Sequence, residues 1–124
     1  MRTMNRVMLV GRLGRDPELR ETRGGAPWMV LSLATDRRRK DGEEWVDETD
    51  WHRVKVFGRQ AQVLSGMLYS GAQVGVDGMI QVEKWSDEAG KPMRSVVVVG
   101  QQVTMLSPRR DTPTLVSGAP VAQA

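Results

Sequence analysis

The chain has 124 residues, with 18 Lys plus Arg against 15 Asp plus Glu, one His and no Cys, for a formal charge of +3 and a pI of about 9.8. That length predicts one domain with a real core, and no apolar run approaches the roughly 18 residues of a membrane span. Without Cys there are no disulfides, zinc–thiolate sites, iron–sulfur clusters or thiol nucleophiles, and one His cannot build a His-based metal cage within a single chain.

In chain order, the alternation from Arg6 to Val10 predicts a first strand, and the start, Met1 to Val10, lacks the long apolar stretch of a signal peptide. Gly11-Arg12-Leu13-Gly14 lacks the Lys-Ser/Thr of a nucleotide-binding loop and reads as a turn or bulge. Turns at Asp16-Pro17 and Gly24-Gly25-Ala26-Pro27 precede a second strand, Trp28 to Ala34. Arg37, Arg38, Arg39 and Lys40 then run into a hairpin tip at Lys40-Asp41-Gly42, with Trp45 across the turn. The plainest reading of these four cations is a solvated loop partly neutralised by Asp41, Glu43 and Glu44. Trp51 to Phe57 predicts the third strand.

Gln60 to Tyr69 breaks the pattern: Val63, Leu64, Met67 and Leu68 form a helical stripe, weakened by Gly66 and closed by Gly71 as a C′ glycine. Val74 to Trp85 and Met93 to Leu106 predict two last strands around a tip at Asp87-Glu88-Ala89-Gly90. Met8, Met29 and Met67 read as core filler. Ser107 to Ala124, with three Pro, one acid and no aromatic residue, reads as a short flexible tail. The expected architecture is therefore all-β over residues 1–106, a five-stranded OB-fold barrel with one α-helix between strands three and four and long hairpin loops, followed by a tail over 107–124.

Two features bear on function. Asp41, Glu43, Glu44, Asp47, Glu48 and Asp50 crowd into one ten-residue window, leaving 18 basic groups against nine acidic ones elsewhere, a balance that suits a polyanion partner. On the third strand, side-chain parity places Trp51, Arg53, Lys55 and Phe57 on one face and His52, Val54 and Val56 on the other. Rings alternating with cations suit a single-stranded nucleic acid, whose bases stack while its phosphates meet charge. The competing reading has Trp51 and Phe57 capping the barrel while Arg53 and Lys55 snorkel, and this strand alone does not choose between them. Lys84-Trp85 adds a ring and a cation before the last hairpin tip, and the basic run Arg37 to Lys40, with Trp45, could let a long hairpin wrap a flexible strand. Asp47, Asp50 and His52 form only a dispersed set for a metal-dependent nuclease.

The stretches Asn5-Arg6-Val7-Met8-Leu9-Val10-Gly11-Arg12-Leu13-Gly14-Arg15-Asp16-Pro17-Glu18-Leu19-Arg20, Leu33-Ala34-Thr35 and Thr49-Asp50-Trp51-His52-Arg53-Val54, with Phe57-Gly58-Arg59-Gln60-Ala61, Gly78 and Lys84-Trp85, resemble the bacterial-type single-stranded DNA-binding protein family in order and spacing. The resemblance implies an OB-fold subunit, a homotetramer wrapped by single-stranded DNA, no catalysis, and no cofactor or metal. It places Trp51, Phe57 and Trp85 at base-stacking positions, and Arg2, Arg6, Arg20, Arg53, Arg59 and Lys84 at commonly basic ones. It places His52 at a subunit contact and pairs the first strand, including Asn5, Val7 and Leu9, with its copy in a neighbour.

Four features depart from that pattern. Arg37 to Arg39 stand where a further stacking Trp is known in the family, Gln81 and Glu83 replace often-basic residues, and Trp28 stands where a smaller residue is usual. The tail has no acidic tip, which puts recruitment of replication or repair proteins by that route in doubt. The resulting expectation is a cytoplasmic, nucleoid-associated protein with no membrane contact, which coats and protects exposed strands in replication, repair and recombination. The alternative is an OB-fold accessory protein acting mainly through protein contacts, of the primosome type, and RNA stays open as a ligand because stacking and phosphate contacts do not read the 2′-OH.

Overall fold

Strict alternation along the strands builds the core. Met29, Leu31 and Leu33 on one strand and Val54 and Val56 on its neighbour are buried, while the residues between them are half-buried or exposed. The computed structural model describes residues 1–108. It contains β1 (Val7–Leu13), β2 (Glu18–Glu21), β3 (Pro27–Asp41), β4 (Glu44–Phe57), α1 (Gly58–Ser65), β5 (Gln73–Ser86) and β6 (Pro92–Met105).

The sheet runs β1-β5-β6-β4-β3-β2, and β1 also pairs with β3, so five strands close into a barrel with β2 added outside β3. All pairings are antiparallel except β4 with β6, where Val54 and Lys55 lie beside Val98 and Val99. This is the expected five-stranded OB barrel, with its helix between the third and fourth barrel strands. Closure brings backbones unusually near. A Cβ on Gly11 would lie 2.2 Å from the Ala34 carbonyl oxygen, and one on Gly78 would lie 2.0 Å from that of Val99. Only glycine fits at these two crossings.

One apolar cluster fills the barrel, drawing Leu13 from β1, Val74 and Val76 from β5 and Val98 and Val103 from β6, with Ala61 and Leu64 of α1 plugging one end. Each large member contributes about 1.5–3 kcal/mol by leaving water. At eight residues α1 is too short to persist alone, so this packing sustains it.

Several expectations need correction. The helix starts at Gly58 and stops at Ser65 with Gly66 as its C-cap, so Met67 to Tyr69 lie beyond it and Gly71, at φ 91°, serves a later turn. Val63 is exposed, whereas Leu64 and Leu68 are buried. Gly11 to Leu13 continue β1 instead of turning. Met29 is core, but Met8 faces outward. The four-residue β2 was not expected. Of the tail, Asp111 and the rest of 109–124 lie outside the described residues, among which no helix is long and apolar enough to cross a membrane.

Candidate nucleic-acid interface

The face opposite the core on β4 carries Trp51, Arg53, Lys55 and Phe57, opposite Ala34, Ser32, Val30 and Trp28 of β3. Trp51 is 61% exposed, and its ring lies over Gly14, where a Cβ would stand 2.5 Å from the ring. The loop after β1 thus backs one side of the indole and leaves the rest to solvent. Phe57 is exposed and meets Trp28, with ring centroids 6.3 Å apart and planes inclined by 19°. Arg20, the β2 register partner of Trp28, holds its guanidinium 5.8 Å from the Trp28 ring centroid, and Lys55 Nζ is at the same distance. Such contacts hold a cation against an apolar surface at about 0.5–1 kcal/mol when exposed.

Between the Trp28–Phe57 pair and Trp51 lies a polar recess lined by Arg15, Asp16, Glu18, Arg20, Val30, Ser32 and Arg53. Arg15 donates to Ser32 Oγ from Nε at 3.3 Å and from Nη2 at 3.2 Å. Asp16 Oδ1 accepts from the Ser70 backbone N–H at 2.7 Å. Glu18 is a loose partner of Arg20 at 3.7 Å. Arg53 makes no ion pair among the described residues. Lys55, by contrast, is only 17% exposed and is tied to Glu83, so its charge is largely spent within the fold.

The basic run is not a loop. Arg37 to Lys40 belong to β3 and Trp45 to Asp50 to β4, forming a two-stranded ribbon that turns at Gly42, φ 67°. Its cations are matched across the ribbon: Arg37 with Glu48 at 2.9 Å and Asp50 at 2.7 Å, Arg38 with Asp47 at 3.6 Å, and Arg39 with Glu48. The partners are therefore Asp47, Glu48 and Asp50, not the nearer-in-sequence Asp41, Glu43 and Glu44. The hydrogen bond and charge of Asp50, then the charge of Glu48, raise the Arg37 guanidinium above its ordinary pKa. Trp45 shares the pleat face of Trp51 and Phe57, spaced six residues apart along β4, and the Arg38 guanidinium lies 5.6 Å from its ring centroid.

On the β5–β6 hairpin, Trp85 opposes Met93 and Lys84 opposes Arg94, both strands being exposed there. Asp87 Oδ1 accepts from the backbone N–H groups of Ala89 and Lys91, fixing the tip. Other expected site residues lie apart from this face. Arg6 pairs with Asp77 at 2.9 Å, Arg2 is in the exposed leading segment, and Arg59 is exposed on α1. Asn5 uses both ends of its amide on the Ile80 backbone, at 2.7 and 2.8 Å. Val7 and Leu9 pack against their own core, so the outward apolar side chains of β1 are Met8 and Val10. His52 is half-buried with Nε2 2.8 Å from Thr35 Oγ1. Among the described residues no group of three or more His, Asp or Glu is placed to hold a metal ion.

The model of the Single-strand binding protein family matches residues 4–106. The chain belongs to that family. A single-stranded DNA-binding protein of Xylella fastidiosa is 37% identical over 111 residues, 89% of this chain and 68% of that protein. One from Treponema pallidum is 39% identical over 106 residues, 86% and 60% respectively. Among solved structures, a Plasmodium falciparum SSB complex with ssDNA superposes with TM-score 0.77 at 26% identity, covering 86% of this chain and 98% of that one. A deletion mutant of the single-stranded DNA binding protein from Thermus aquaticus gives 0.74 at 29%, covering 86% and 52%.

In this family member the sequence reading missed three residues of the ring-and-cation face: Trp28, Arg15 and Ser32. Trp28 was noticed only as an unusual start to a strand. What makes it part of the site is its cross-strand partner Phe57, which no local pattern shows. Arg15 lies in an irregular loop, and Ser32 became notable only through the side chain that reaches it.

Proposed function

We propose that the chain coats and protects exposed single-stranded DNA in replication, repair and recombination, as a cytoplasmic, nucleoid-associated protein that acts by binding, not by chemistry. The observation that carries this reading is the outward face of β4, where exposed Trp51 and Phe57 flank Arg53 and Lys55 while Val54 and Val56 point inward. Bases stack on Trp51, on Phe57 beside Trp28, and on Trp85. Arg53, Arg20 and Lys84 meet phosphates, with Arg2 and Arg59 as outlying contacts. Each stacked base contributes about 1–3 kcal/mol, and every neutralised phosphate makes affinity fall with salt. Anisotropy of a labelled dT oligonucleotide tests this. Tight single-strand binding that weakens steeply with salt, with far weaker duplex binding, is expected, and equal affinity for both would refute it.

Residues 1–106 form the binding domain in this reading, and the working form is a homotetramer. Support comes from β1, where only Arg12 and Leu13 pair with β3, so one edge of Val7 to Gly11 has no strand partner among the described residues. Met8, at 70% exposure, and Val10, at 58%, stand outward on the same strand. An unpaired edge beside apolar side chains suits pairing with a second copy. The accessory-protein reading is favoured only by Glu83, which takes up the charge of Lys55. Negligible strand affinity in a stable oligomer would support it.

A further inference from the structure

We propose that the recess between the Trp28–Phe57 pair and Trp51 is a built seat for one phosphodiester of the bound strand, with Arg15 and Ser32 as its unassigned members. This rests on the reading that the β4 face binds single-stranded DNA.

Three arginines line the recess from three separate elements: Arg15 from the loop after β1, Arg20 from β2 and Arg53 from β4. Ser32 lies directly across from Arg53 in the β3–β4 register. Its Oγ already accepts two N–H groups from Arg15. A hydroxyl that accepts twice still has its own O–H to donate, and an anion in the recess is the acceptor that would use it. Two carboxylates, Asp16 and Glu18, share the lining, so the three arginines leave one net positive charge for an anion. Asp16 is engaged by the Ser70 N–H. Glu18 is 79% exposed and only 3.7 Å from Arg20, so an incoming phosphate displaces a weak, solvated partner.

Position argues for the backbone of a stacked strand as the occupant. Trp51 and Phe57 lie six residues apart on one face of β4, about 20 Å at the rise of an extended strand. Arg53 stands between them. A strand that stacks bases at both stations must carry its phosphates over the recess. Arg20 joins the two functions, since it lines the recess and lies against the Trp28 ring. The planar fork of Arg15, held by Ser32, presents its remaining donors in a fixed direction, which a flexible lysine would not.

The test uses the full chain and a short dT oligonucleotide over a range of salt. Arg15→Gln should make the slope of log affinity against log salt shallower by about 0.7, the value of one phosphate on a single strand. Arg15→Lys should restore that slope while leaving the affinity below wild type. A single uncharged methylphosphonate linkage is then walked along the oligonucleotide. At one position the linkage should weaken wild-type binding several-fold and Arg15→Gln binding clearly less, since Arg20 and Arg53 remain in the recess. Unfolding temperatures of the variants should match wild type, because Arg15 is exposed. A full wild-type slope in Arg15→Gln, with every linkage position affecting both proteins alike, overturns the seat but leaves the face standing. Failure of the wild type to bind single strands overturns the face and the seat together.

Discussion

Trp51 owes its readiness to Gly14. The indole is exposed, yet one side rests where a Cβ on residue 14 would need to be. Trp51→Ala should weaken dT binding by about 1–3 kcal/mol, roughly 5- to 150-fold, as read by titration. Gly14→Ala should also weaken binding, although residue 14 need touch no base, because the ring must shift. The two losses should not add: in a double-mutant cycle Gly14→Ala should cost little once Trp51 is gone. Full additivity would mean that the loop does not position the ring. Phe57 is supported differently, by a neighbouring ring with a cation beside it. Lys55 shares that face by parity, but its ammonium is tied to Glu83.

Among elements, the β3–β4 ribbon differs most from its sequence reading. Its cations alternate with nothing apolar, so local periodicity marks a loop. What extends it as strand is a two-residue turn at Gly42 and a ladder of cross-strand ion pairs, visible only once the register is known. Exposed pairs of this kind contribute little individually, because solvent screens them. Their arginines enter binding already compensated, so Arg37→Gln and Arg39→Gln should leave the salt slope of dT binding nearly unchanged. A loss near 0.7 per variant would show that phosphate displaces the carboxylates. Because Arg37 is raised above the ordinary arginine range by Asp50 and Glu48, its stabilising charge is fully present at lower pH. That contribution fades only as pH rises through the raised value, so it gives no pH dependence near neutrality.

The buried strands were legible for the opposite reason. Met29, Leu31 and Leu33, then Val54 and Val56, alternate with residues that face outward, and each such pattern fixes a face. Exposed β2 offers no such signal, and α1 ends early because Gly66 interrupts the stripe before Met67. The two closure glycines are the elements' tightest joints. Gly78→Ala should destabilise by about 1–3 kcal/mol, since the Val99 carbonyl it would meet is backbone within the ladder. Thermal unfolding should show a fall of roughly 4–8 °C per kcal/mol, and an unchanged midpoint would mean that the strands separate without cost.

At the scale of the molecule, the modest net charge conceals its organisation. Half of the acidic window, Asp47, Glu48 and Asp50, pairs with cations of the ribbon it lies in, while Arg15, Arg20 and Arg53 lie beside the rings of the barrel face. In the proposed homotetramer, the β1 edge that is unpaired among the described residues and the outward Met8 and Val10 form the contact with a second copy. Met8→Asp should lower the mass observed by sedimentation at micromolar concentration without unfolding the barrel, because that side chain does not enter the core. An unchanged mass would place the subunit contact elsewhere.

The most direct test of the stacking face is intrinsic tryptophan fluorescence during titration with a dT oligonucleotide, compared with duplex DNA and repeated with Trp51→Phe. The account predicts strong quenching by the single strand, little by the duplex, and a large part of the quench lost in the variant. Binding of the single strand without quenching, or a quench unaffected by Trp51→Phe, would contradict it.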